Sequence, residues 1–237
     1  MFESKNNSAS EKFLAPTSIH GEVGRILNEK GIQAPPIKLH VAFIYHGTRA
    51  DARDLKSELN KCDIFIPELS HTPLVRFLHQ ELAHGNITPQ EFWKRNSLDP
   101  VQYKSMPFRV LPGFYKELLS MIHNSKKIIR FVDVPLESVL CDLLRDPLVK
   151  ELPRLEKELH REREEYMLNQ LPKVLADVVE HHSALQPPHR RSPLRVFMFL
   201  GAAHYPLWDK LRDEEGVTSE MSVRGFAALL SGIIRNP

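Results

Sequence analysis

Four short apolar runs punctuate the chain, at residues 39–45, 63–66, 128–132 and 196–200, and helix-compatible stretches separate them. Runs of this length, rich in β-branched and aromatic residues, suit strands covered on both faces, and strands joined through helices pair parallel. The pattern predicts an α/β fold with a mainly parallel central sheet flanked by helices. A helix over 52–60 joins the first two strands into a βαβ unit. A helical insertion at about 72–125 then separates the second strand from the third. Within it, 72–83 carries apolar positions at helical spacing, and Thr88-Pro89-Gln90-Glu91 combines an N-cap, a first-position proline and a capping-box glutamate. Asp99-Pro100 starts a short turn of helix, and 112–124 is amphipathic. Next come a helix over 137–144 and a long helical pattern over 147–182, which Pro153 and Pro172 restart or kink. An edge strand from Val217 and an apolar helix over 225–234 close the pattern. Residues 1–38 are polar and proline-punctuated, with a helix near 22–29, and read as an arm or leading helix ahead of a single α/β domain at 39–237.

At 237 residues the chain is long enough to bury one sizeable core. A net charge of +2, with no Lys/Arg cluster interleaved with aromatics, predicts no nucleic-acid partner. The first residues lack an apolar signal region and no run reaches the roughly 18 residues a membrane span requires, so the expectation is a cytoplasmic protein without a membrane partner. Cys62 and Cys141 border apolar runs without Cys-x-x-Cys spacing and read as buried, reduced thiols. Phosphate-binding glycine loops and the Gly-x-Ser-x-Gly elbow are absent from the sequence, which disfavours nucleotide binding and serine hydrolysis.

The chemistry concentrates where the apolar runs end: His46-Gly47-Thr48, Glu68, Asp133, and Gly201 with His204. In parallel strands these positions share the carboxyl edge of the sheet, where ligands of open α/β folds bind. Histidine beside carboxylates is equipped for divalent-metal binding or for general acid/base work. On the long helix, Leu152, Leu155, Leu159, Tyr166 and Leu171 define an apolar stripe, and Glu162 and Arg163 fall within or beside it. Charges on an inward face need partners, so these two are candidates for a polar cleft. Glu164 and Glu165 fit a solvated face. His71, His79, His84, His123, His181 and His182 lack metal-ligand spacing and read as packing or surface residues.

Taken in order, these patches resemble the TraB/Tiki and erythromycin esterase/ChaN-like superfamily. The resemblance rests on Gly47-Thr48-Arg49-Ala50 after the first strand, Glu68 after the second, Glu162-Arg163 followed by Tyr166-Met167 on a helix, and Gly201-Ala202-Ala203-His204 after the last core strand. It implies a metal-assisted or acid/base hydrolase, protease- or esterase-like, acting on a small-molecule or peptide substrate. Glu68 would be the base or metal-associated carboxylate, His204 the second-motif histidine and metal ligand, and Glu162 and Arg163 the supporting wall. His46, Gly47, Asp133, Gly201 and Tyr205 would line the cofactor side. The implied cofactor is a divalent metal, with haem as second choice through His204 or Tyr205. Ala50 stands where the family's first motif has histidine, which implies degraded activity and leaves a non-catalytic ligand- or haem-binding protein as the alternative.

Overall fold

The computed structural model describes residues 18–44, 49–69, 71–97, 112–187, 192–201, 204, 207–211 and 217–221. Five parallel strands form one sheet in the order β3-β2-β4-β1-β5. They are β1 (Ile37–Ile44), β2 (Ile64–Pro67), β3 (Ile128–Ile129), β4 (Leu194–Gly201) and β5 (Val217–Met221). The order explains the sequence pattern. β1 and β4 pair from Ile37 opposite Leu194 to Ile44 opposite Gly201, and β2 pairs with the other edge of β4, so β4 is an interior strand; because helices also cover both faces of the sheet, its run from Val196 to Leu200 is continuously apolar.

Alternation along β4 divides the core. Phe197 and Phe199 point to one face, where Phe65 stacks on both at 5.7 and 5.8 Å and Phe114 meets Phe199 edge-on at 6.0 Å. Val196, Met198 and Leu200 point to the other face, with Leu39, Val41 and Phe43 of β1. The aromatic face is covered by α2 (Arg49–Asp54), α3 (Lys56–Lys61), α4 (Pro73–His84), α5 (Pro89–Ser97) and α6 (Pro112–Ile122). The aliphatic face is covered by α1 (Ile19–Asn28) and by a 29-residue helix, whose Met167, Leu171, Leu175 and Val178 are all buried. Counting α7 (Val139–Arg145) and α8 (Pro147–Lys150) before it, that helix is α9 (Pro153–His181); α10 is Leu207–Leu211. Val23 and Leu27 of α1 are fully buried in this second core, which fastens that helix to the sheet.

Local signals set the ends of these elements. Thr72 caps α4 by accepting the Val75 N–H at 3.2 Å, and Gly85 closes it in the left-handed conformation at φ +79°. At the next helix Thr88 and Glu91 exchange hydrogen bonds reciprocally, the capping box that the sequence predicts. The 52–60 helix is instead two short helices, with Leu55 between them buried in the core. The third strand is shorter than its apolar run. Phe131 and Val132 are buried, but by packing rather than by a ladder, as the chain turns off the sheet toward Asp133. Gln80 covers the open side of this edge strand, accepting the Ile129 N–H at 3.2 Å and donating to the Lys127 carbonyl at 3.3 Å. α9 continues through Pro172, which sits buried inside it. Cys62 and Cys141 are free, buried thiols, and burial pushes the Cys62 thiol up to about 12. Among the described residues no helix is long and apolar enough to cross a membrane. The expected helices after Asp99 and over 225–234 lie outside the described residues.

Candidate functional site

Adjacent strands β3, β2 and β4 deliver Asp133, Glu68 and Gly201 to the same edge of the sheet. Because Pro67 stands opposite Phe199, the next residue, Glu68, lies beside the last turn of β4; its N–H donates to the Phe199 carbonyl at 3.1 Å and its Oε2 accepts the Gly201 N–H. Glu68 is thus held by its neighbouring strand through both its backbone and its side chain. His204 follows three residues after Gly201, and its Nε2 lies 3.0 Å from Glu68 Oε1. The two residues expected to share a site are in direct contact.

Helix α9 supplies the other half. Arg163 makes a bidentate pair with Asp133, from Nε to Oδ1 at 2.8 Å and from Nη2 to Oδ2 at 2.5 Å. Nη2 also donates to Glu68 Oε1 at 3.2 Å, and Nη1 lies 3.2 Å from His204 Nε2. The Asp133 side chain is wholly buried, held by this guanidinium and by the Val134 N–H at 2.8 Å. Despite burial, which works against the cation, the charges and hydrogen bonds of Asp133 and the charge of Glu68 hold Arg163 above its ordinary range. The next residue, Glu164, is buried and accepts the His204 Nδ1–H at 3.1 Å. His204 is therefore clamped between two carboxylates. Burial disfavours its charge and Arg163 repels it, yet the hydrogen bonds to Glu164 and Glu68 raise it to about 9, so it is an imidazolium at neutral pH. It donates both of its N–H groups, one to each glutamate.

Two further groups border the network. His160, one helical turn before Glu164, has its ring 6.2 Å from that of His204; burial, then the nearby cations, lower its pKa and favour the neutral imidazole. Tyr115 on α6 is buried close enough to feel Glu68, Arg163 and Asp133, and burial keeps its phenol protonated. A cleft of about 650 Å³ runs along the first half of α9, with His160 and Glu164 in its wall and Lys210 of α10 across from them.

The placement of the expected residues differs in one respect. Glu162 is exposed and belongs to no part of the network; Glu164 takes the inward position. Of the predicted stripe, Leu159 and Leu171 are buried, but Leu152 and Leu155 are 54% and 38% exposed, and the anchored part of α9 runs through Met167, Leu171, Leu175 and Val178. Counting back three from Met167 gives Glu164, so the anchored part was the available signal. Tyr115 carried no signal beyond its place on an amphipathic helix. Ala50 is exposed on α2, and His46, Gly47 and Tyr205 lie outside the described residues.

The residues described do not fit the cofactors implied earlier. Positive charge between Glu68 and Asp133 is already supplied by the Arg163 guanidinium, and the Glu68-facing nitrogen of His204 borders that cation. Among the described residues no group of three or more His, Cys, Asp and Glu could hold a metal ion. As an axial haem ligand His204 is equally unsuited, because both ring nitrogens have partners and the residue is 2% exposed. Comparison of the chain with family models, curated proteins and solved structures finds no match.

Proposed function

We propose that the chain is an acid/base hydrolase of the TraB/Tiki and erythromycin esterase/ChaN type, cleaving an ester or amide of a small-molecule or peptide substrate with its own side chains. The observation that carries this reading is His204 held as an imidazolium between Glu164 and Glu68 at the carboxyl edge of a parallel sheet. The Glu68–His204 pair stores one ionised carboxylate and one protonated imidazole in contact, which is a base and an acid together. In the proposed reaction Glu68 takes a proton from water as it attacks the carbonyl carbon. Its grip on the Nε2–H loosens, and that proton passes to the leaving oxygen or nitrogen as the carbonyl–heteroatom bond breaks. The proton on Glu68 then crosses the 3.0 Å hydrogen bond to Nε2 and restores the pair. Arg163 keeps a fixed positive charge beside the developing oxyanion, Asp133 orients it, and Glu164 fixes the imidazole through Nδ1.

The test is a panel of chromogenic carboxylic esters and arylamides. Glu68→Gln and His204→Gln should each lower turnover by about 10²–10⁴-fold, the usual range for a lost acid or base, while Glu162→Gln leaves it unchanged. Turnover surviving Glu68→Gln in a variant with native circular dichroism sinks the mechanism. The burial of His204 favours a second reading, a non-catalytic ligand-binding protein. Saturable binding of a non-hydrolysable panel member, with no turnover of its parent, selects that one.

A further inference from the structure

On the flank of the sheet beside edge strand β3 a second cleft, of about 410 Å³, shares no lining residue with the Glu68–His204 network. Its walls converge from three elements: Arg76 and Gln80 of α4, Arg130 and Phe131 at the end of β3, and Lys173 and Asp177 of α9. Three cations thus face one carboxylate. Among the described residues no salt bridge joins Arg76, Arg130 or Lys173 to an acid, and the Asp177 carboxylate lies 3.2 Å from the His181 ring.

Arg130 is held in a particular pose. Its Nη1 donates to the Ile129 carbonyl at 3.0 Å and to Gln80 Oε1 at 3.4 Å, and Gln80 is itself fixed by capping the β3 edge. Anchoring through Nη1 leaves the Nε–Nη2 edge of the guanidinium, a side that binds tetrahedral oxyanions with two parallel hydrogen bonds. Arg130 is also half-buried, and burial lowers its pKa despite the charge of Asp177. A half-buried cation lacking a close carboxylate is costly, and an anion entering the cleft would offset that.

We propose that this cleft binds the phosphoryl group of a small soluble molecule, inorganic phosphate or a phosphomonoester, with Arg130 as the bidentate anchor and Arg76 and Lys173 as flanking charges. The excess of two positive charges over Asp177 matches a phosphate dianion, and the guanidinium fork favours phosphoryl over a spherical anion such as chloride. The proposal does not rest on the hydrolase reading.

The test is calorimetric titration of the full chain with inorganic phosphate, with glycerol phosphate and with phosphatidic-acid vesicles, at an ionic strength held constant with sodium chloride. One-to-one saturable binding of either soluble phosphate is expected, weakened at least tenfold by Arg76→Glu and by Lys173→Glu. Both side chains are exposed, so these variants should keep the native melting curve; Lys173→Ala is the milder substitute and should weaken binding in the same direction. Absence of saturable binding, affinity indifferent to the charge reversals, or binding to vesicles alone would overturn the proposal.

Discussion

Replacing Arg163 by methionine tests whether the site is an electrostatic unit. The substitution keeps the aliphatic stem in place and removes the cation that contacts Asp133 twice and Glu68 once. Asp133 has no side-chain exposure and Glu68 only 11%, so neither carboxylate can turn to solvent for compensation. Breaking a buried ion pair from one side destabilises by about 3–5 kcal/mol, and the low end applies here because the Val134 N–H still donates to Asp133. A loss of about 3 kcal/mol in a chain of this size lowers Tm by roughly 6–12 °C. Asp133→Asn alone strands the guanidinium against Glu68 and should be of similar severity. The double variant should lose at least about 1 kcal/mol less than the sum of the two singles, because neither charge is then left alone. Urea unfolding at pH 7 measures all three. A single-variant loss below about 1 kcal/mol, or strict additivity, would show that Arg163 and Asp133 do not depend on each other and that the network is a surface arrangement.

Other expectations follow from the titratable groups and one turn. His204 binds its proton more tightly folded, about 9, than unfolded, so its stabilisation is complete below pH 6.5 and fades as pH rises to about 9; the total is about 3 kcal/mol, and His204→Gln should flatten that alkaline slope in urea midpoints. His71 and His79, packed around Phe131, are lowered by burial to about 4, so stability should fall as pH drops from 6.5 toward 4, by roughly 3 kcal/mol for each. An acid slope unchanged in His71→Phe/His79→Leu would refute that assignment. Gly85→Ala should destabilise by about 1–2 kcal/mol, because φ is +79° and the new methyl would sit 3.0 Å from Asn124 Oδ1; chemical denaturation that shows no loss would refute the strain.

Strands were legible because their apolar runs are short and bounded, and the sheet is parallel as that pattern implies. Glu68, Asp133 and His204 were legible for the same reason: a polar residue just past a buried strand has only one edge to occupy. What remained hidden depends on partners distant in sequence. The identity of the inward glutamate on α9 is fixed by which turns of the helix pack on the sheet, and Leu152 and Leu155 are apolar without being buried. The third strand ended early because Phe131 and Val132 bury themselves against other elements, an outcome that hydrophobicity alone cannot distinguish from strand pairing. The mismatch with a metal centre was invisible because nothing local to Arg163 announces that its partners are Asp133 and Glu68, 30 and 95 positions earlier.

Arg163 and Glu164 are consecutive, and each reaches a different part of the cluster around His204. Consecutive helical residues point about 100° apart, so the pair works only at one rotational setting of α9, and Met167, Leu171 and Leu175 fix that setting against the sheet. Inserting or deleting a single residue between Glu164 and Met167 would swing both side chains away by a quarter-turn or more while leaving the sheet and its core intact. Lineages of this protein should therefore accumulate length changes in the loops and spare this one short span, where a shift of frame in space, rather than any change of residue type, would dissolve the cluster.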